Sequence, residues 1–125
     1  MLLGYKLFIS DTGKILSLKD IENSTVVGSI SYDIDERKDF STLHNLNINY
    51  SFRRKGFAKK LRNEAIKRIL DLKITKIHTN PQSYSKELKL EDLASFYRKN
   101  FKEMGSSKIE ERVLYQGRLE IVAFF

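Results

Sequence analysis

The run Leu46-Asn47-Ile48-Asn49-Tyr50-Ser51-Phe52-Arg53-Arg54-Lys55-Gly56-Phe57-Ala58 decides how the chain is read. Its first half belongs to a strand predicted over residues 42–50 (TLHNLNINY), with Leu46, Ile48 and Tyr50 on one face and Asn45, Asn47 and Asn49 on the other. Asparagine is disfavoured in strands because its side chain competes for backbone hydrogen bonds. Three on one face therefore mark either a ligand-facing surface or a solvated one. The second half opens a helix predicted over residues 52–72. Ala58, Leu61, Ala65, Ile69 and Leu72 recur there at three- and four-residue spacing, with Phe57 at the margin of the stripe. Lys59, Lys60, Arg62, Asn63, Lys67 and Arg68 fall mostly outside it. The junction itself suits a diphosphate. A helix N-terminus has backbone N–H groups without partners and the positive end of the helix dipole. Gly56 and Ala58 remove bulk in front of those amides, and Arg53, Arg54 and Lys55 add cationic donors. A tight turn that needs small residues for packing gives the same spacing.

Outward from the junction, residues 74–79 (ITKIHT) form a short strand that closes a β–helix–β unit, which requires parallel strands and a right-handed crossover. Upstream, strands are predicted at residues 5–10, 14–19 and 25–34, separated by turns at Asp11-Thr12-Gly13 and Asp20-Ile21-Glu22-Asn23. They are expected to form an antiparallel meander. Downstream, residues 82–90 form a polar loop. A second amphipathic helix follows at residues 91–104, with Leu93, Phe96, Tyr97 and Phe101 on one side and Gly105 as its stop. Residues 110–116 and 118–125 then form a hairpin around Gly117. The expected fold is α+β: a mixed, mostly antiparallel sheet of six to seven strands, with two main helices, in a single domain over residues 1–125.

Charge and composition narrow the partners. The chain has 125 residues and a net charge of +7. Ten basic residues between Arg53 and Lys76 face only Glu64 and Asp71, so the rest of the chain is close to neutral. A compact polyanion is implied, either a nucleotide cofactor or nucleic acid, unless the helix face is merely solvated. The absence of cysteine excludes disulfides, thiolate-ligated zinc, iron–sulfur clusters and a thiol nucleophile, and with two histidines a His-rich metal site is not expected. No apolar run reaches signal-peptide or membrane-spanning length, so a soluble, cytoplasmic protein is expected.

The run from Leu46 to Ala58 resembles the acetyl-CoA-binding segment of the GCN5-related N-acetyltransferases, the GNAT family. That segment is an apolar strand, an aromatic, then Arg/Gln-x-x-Gly-x-Gly/Ala. Phe96-Tyr97-Arg98-Lys99-Asn100-Phe101 is similar to the family's second signature, Leu/Phe-Tyr-x-Lys-x-Gly-Phe, and Val26-Val27-Gly28-Ser29-Ile30 to the strand ahead of both. The resemblance spans roughly residues 25–104 and implies a GNAT-like fold with acetyl-CoA as acyl donor. It implies that the backbone amides of Arg54, Gly56, Ala58 and Lys59 hold the pyrophosphate, with Arg53, Lys55 and Phe57 in the same loop. Asn47, Ile48 and Asn49 would pair through their backbone with the pantetheine arm, and Tyr97 would protonate the leaving thiolate. A phenol near pKa ~10 is suited to that donation at pH 7.

Departures from the pattern shape the functional expectation. Tyr50 stands where a proline is common, Leu90 where an asparagine starts the second helix, and the glycine before Phe101 is absent. No carboxylate stands at Thr42, and His44 on the same face is the candidate base, acting on an amine through water. No helical pattern precedes Tyr32, so the two N-terminal helices that wall the family's acceptor site are not expected. That leaves an acceptor site that is open, completed by a second subunit in a homodimer, or absent. The leading expectation is an acetyl-CoA-dependent N-acetyltransferase acting directly on a primary amine of a small molecule or peptide, with no membrane and no metal involved. The alternatives are a GNAT-like pseudoenzyme or CoA-binding module, then a basic nucleic-acid-binding module, which lacks an aromatic platform.

Overall fold

The computed structural model describes residues 7–12, 14–22, 24–35, 37, 39–81, 90–114 and 118–125. Runs rich in β-branched and aromatic residues form the first four strands: β1 (Leu7–Asp11), β2 (Ile15–Asp20), β3 (Thr25–Ile34) and β4 (Ser41–Ile48). They pair consecutively and antiparallel, as turns of a few residues require. Helix α1 (Phe57–Asp71) crosses over to β5 (Lys76–Thr79), which lies parallel to β4. Helix α2 (Leu90–Glu103) leads to β6 (Lys108–Val113) and β7 (Leu119–Phe124), and β7 inserts between β5 and β6. Among the described residues the result is one seven-stranded sheet of order β1-β2-β3-β4-β5-β7-β6, parallel only between β4 and β5.

Both helices pack on one face of this sheet. Leu16, Leu18, Ile30 and Leu43 meet Phe57, Leu61, Ile66 and Ile69 of α1, and Ile77, Ile121 and Ala123 share the same buried cluster with Ala94, Tyr97 and Phe101 of α2. The opposite face is polar and half-buried, lined by Ser17, Ser29, Ser31, Thr42, His44 and His78. Among the described residues no helix covers it, and no helix is long and apolar enough to cross a membrane.

Several boundaries differ from the sequence expectation for local reasons. The helix expected from residue 52 begins at Phe57, because Tyr50–Phe52 form a separate 3-10 turn. Tyr50 is therefore not on the apolar strand face with Leu46 and Ile48 but 81% exposed, with Arg53 stacked 5.5 Å above its ring. Leu72 is not part of the buried stripe: it caps α1 and is exposed, while Phe57, assigned to the margin, is in the core. On α2 the buried side is Ala94, Tyr97, Asn100 and Phe101, with Phe96 exposed. Without the glycine before Phe101 the helix continues to Glu103. It closes with Ser106 N–H donating to Phe101 O (3.0 Å) and Gly105 N–H to Lys102 O (3.1 Å). Strand β6 starts two residues before the expected 110. The loop at 82–89, the turn at Gly13 and the hairpin tip at 115–117 lie outside the described residues.

Candidate active site

The site starts from a fault in the β3–β4 ladder. Asn47 lies opposite Ser29, but His44 lies opposite Ser31, so β4 carries one residue more than β3 across this step. That is a β-bulge, which bends the strand that holds the extra residue. β5 pairs with Ser41, Thr42 and Leu43 only, and the rest of β4 runs on without it. Gly28 makes the bulge possible. A Cβ there would lie 2.6 Å from the Asn47 carbonyl oxygen and 2.6 Å from Ile48 Cδ1, closer than atoms can approach.

The ladder decides which backbone groups face the gap. Asn49 donates its N–H to Val27 O at 2.9 Å, and its side-chain amide donates to Val26 O. Asn47, two residues earlier and opposite Ser29, has the same backbone orientation, so both residues bind β4 to β3. Ile48, between them, turns its amide and carbonyl away from β3 toward the gap. Its carbonyl accepts from Arg53 Nε at 3.0 Å, and its N–H faces the gap. The expectation of three backbone contacts to a ligand along Asn47–Asn49 thus narrows to Ile48.

The bend after β4 alternates in backbone handedness. Arg54 (φ 62°) and Gly56 (φ 83°) are left-handed and flank Lys55, whose φ is negative. Alternation of this kind turns successive N–H groups to one side. Gly56 is the N-cap of α1. No side chain caps the helix, and its first turn contains no acidic residue.

A cleft of about 820 Å³ joins the bend to the gap, a size within the usual range for small-molecule sites. It is lined by His44, Asn47, Ile48, Arg53, Arg54, Gly56, Phe57, Ala58, Lys59 and Tyr97, together with Arg62, Thr79, Lys99, Asn100, Glu103 and Arg118. Of the residues the sequence nominates, Lys55 and Asn49 are not in this lining; both are exposed. The charge is one-sided. Arg53, Arg54, Lys59, Arg62, Lys99 and Arg118 face a single described carboxylate, Glu103, which pairs with Lys59 at 2.9 Å and is held below the usual carboxylate range by that contact. A cleft of this polarity, with an apolar floor of Phe52, Phe57 and Leu43, fits a diphosphate at one end and an uncharged arm beyond it.

Tyr97 reaches the cleft from α2 and is only 6% exposed. Burial pushes its phenol above the ordinary 10.0, while Arg62 and a side-chain contact with Thr79 pull it down. His44 stands at the bulge on β4, with Nε2 2.7 Å from Asp33 Oδ2. Sequence reasoning missed Arg62, Asn100 and Thr79. Arg62, grouped with the residues mostly outside the apolar stripe of α1, is buried, and only the absence of a glycine next to Asn100 hinted that this end of α2 is unusual.

The comparisons with known proteins agree with this fold. No curated protein matches the sequence. Among solved structures, the chain is similar to the PaiA N-acetyltransferase of Thermoplasma acidophilum in complex with coenzyme A, at 20% identity and TM-score 0.63 over 90% of this chain and 62% of that one. It is also similar to the NatC complex bound to Gag peptide and CoA, at 15% identity and TM-score 0.61 over 89% of this chain and 70% of that one. A putative acyl-CoA N-acyltransferase from Klebsiella pneumoniae aligns at 10% identity and TM-score 0.62 over 93% of this chain and 77% of that one. At these identities the likeness is one of fold, and the chain spans less than two thirds of the PaiA enzyme's length. Residues 5–89, more than half of the chain, match the family model described as the acetyltransferase (GNAT) family, and the chain belongs to that family.

Proposed function

We propose that this chain is an acetyl-CoA-dependent N-acetyltransferase that acts on a primary amine, of a small molecule or a peptide, by direct transfer. One observation carries the reading: a single cleft runs from the uncapped N-terminus of α1 to the opened edge of β4, with a buried phenol in its wall. The coenzyme A named in the PaiA and NatC structures supports the choice of donor.

When bound, acetyl-CoA supplies an acetyl thioester and, after transfer, leaves as a thiol. The amides of Arg54, Gly56, Ala58 and Lys59 hold the negative oxygens of its diphosphate, and the side chains of Arg53, Arg54 and Lys59 add charge-assisted bonds. Ile48 N–H orients the uncharged arm, while Asn47 and Asn49 keep β4 fixed to β3 so that the amide stays aimed. Phe57 forms the floor. His44 takes, through water, the proton that the acceptor nitrogen loses, and Tyr97 gives its own proton to the sulfur. A C–N bond replaces the C–S bond. The proton released at nitrogen balances the one gained at sulfur. Positioning of the amine against a fixed carbonyl, rather than a covalent enzyme intermediate, provides the acceleration.

The test is release of free thiol from acetyl-CoA across simple amines, polyamines, aminoglycosides and peptides. At least one class should give turnover that Tyr97→Phe reduces. Thermal stabilisation by acetyl-CoA with no thiol from any acceptor would replace the enzyme with a binding module.

A further inference from the structure

Removing a guanidinium from water costs several kcal/mol unless hydrogen bonds and countercharge replace its hydration. Arg62 is 7% exposed, and no described carboxylate forms an ion pair with it. Glu103, the acid on the facing helix, pairs with Lys59 instead. The hydrogen-bond partner of Arg62 is neutral, and Glu103 acts on it only through space. Its Nε donates to Asn100 Oδ1 at 2.6 Å, and Asn100 Nδ2 in turn donates to Asn63 Oδ1. Its Cζ lies 5.2 Å from the centroid of the Tyr97 ring. Asn100 is 2% exposed and lines the cleft together with Arg62, while Asn63 at the far end of the brace is half-buried.

We propose that Arg62, braced by Asn100 and Asn63, is the positioning residue that holds the Tyr97 ring and keeps its phenol able to give up a proton. This rests on the reading of the cleft as an acetyl-transfer site. Giving a proton from Tyr97 Oη to the departing sulfur leaves a phenolate where burial disfavours charge. A cation over the ring offsets that cost, and the phenolate regains its proton from water in the cleft. Of the charged groups that line the cleft (Arg53 and Arg54 in the bend, Lys59 and Arg62 on α1, Lys99 and Glu103 on α2, His44 on β4 and Arg118 beside β7), Arg62 is the one whose guanidinium lies over the Tyr97 ring.

The coupling can be read without donor or acceptor by placing 3-fluorotyrosine at position 97 and following its fluorine resonance against pH. Arg62→Met should raise the proton affinity of that phenol about tenfold. Arg62→Lys should restore most of the difference, and Asn100→Ala should give a smaller shift in the same direction. An unchanged midpoint in Arg62→Met, with a native-like amide spectrum, overturns the proposal. If that variant does not fold, unchanged midpoints in both Arg62→Lys and Asn100→Ala overturn it. In turnover, Arg62→Met should lower kcat about tenfold, leave KM for acetyl-CoA within about twofold and move the alkaline limb to higher pH. A kcat loss with the limb unmoved would mark a structural role only. A shifted midpoint in a protein that releases no thiol would instead overturn the transferase reading, and the catalytic use of Arg62 with it.

Discussion

Tyr97 is held between a force that keeps it neutral and a neighbour that favours its ionisation. Burial dominates, so the phenol stays protonated throughout the neutral range. Tyr97→Phe should reduce kcat by about 10²-fold while leaving acetyl-CoA affinity within about twofold, a split readable from steady-state thiol release. The same residue links stability to alkaline pH. Its folded value lies above the unfolded 10.0, so its contribution is fully present below pH 10.0 and is lost as pH rises through the folded value. Urea unfolding at pH 9 and pH 11 should show a smaller alkaline loss in Tyr97→Phe than in the wild type. Tyr97 was legible from its place in a signature, whereas Arg62 was not. A helical wheel assigns a charged residue to solvent, and only the pairing of α1 with α2 reveals that Asn100 receives its Nε.

At the scale of elements, the functional geometry comes from one inserted residue in β4. The bulge opens the strand from β5, and Gly28 lets β3 pass beneath it. Gly28→Ala forces a Cβ onto a backbone carbonyl that cannot swing aside. It should cost about 1–3 kcal/mol in chemical denaturation and weaken acetyl-CoA binding, because the displaced wall carries Ile48. A stability loss with affinity unchanged would separate the bulge from the site. Strand and helix identities were readable because their periods, two and about 3.6, are written locally. The bulge was not: alternation along residues 42–50 looks regular, and the extra residue exists only relative to Ser29 and Ser31 on another strand. The late start of α1 has a similar origin, since Phe52 and Phe57 both suit a helix. The left-handed turns at Arg54 and Gly56 decide the boundary.

For the molecule as a whole, the concentration of cations between Arg53 and Lys76 was the clearest sequence signal, and the fold places part of it around one cleft. The sheet order and the GNAT membership were likewise within reach of the sequence, because the run from Leu46 to Ala58 that carries the resemblance lies inside the matched residues 5–89. Which cations of α1 line it depends on the turn of the helix: Arg62 is buried against the cleft and Lys59 reaches it from an exposed position, whereas Lys67 stands exposed outside it. Attraction through exposed cations is screened by salt. The acetyl-CoA dissociation constant should therefore rise several-fold between about 0.05 M and 0.5 M salt, and duplex DNA should not compete for the cleft. Efficient displacement of acetyl-CoA by generic DNA would point to a polyanion groove of another kind.

The most direct measurement is a calorimetric titration of acetyl-CoA into the wild-type chain and into Gly56→Asp. That substitution puts a side chain on a left-handed position and a carboxylate in front of the uncapped amides. Saturable one-to-one binding by the wild type, weakened at least about 30-fold (roughly 2 kcal/mol) in the variant, is the predicted result. Equal affinity in the two proteins, or no binding by the wild type, would contradict the assignment of the α1 N-terminus as the diphosphate site.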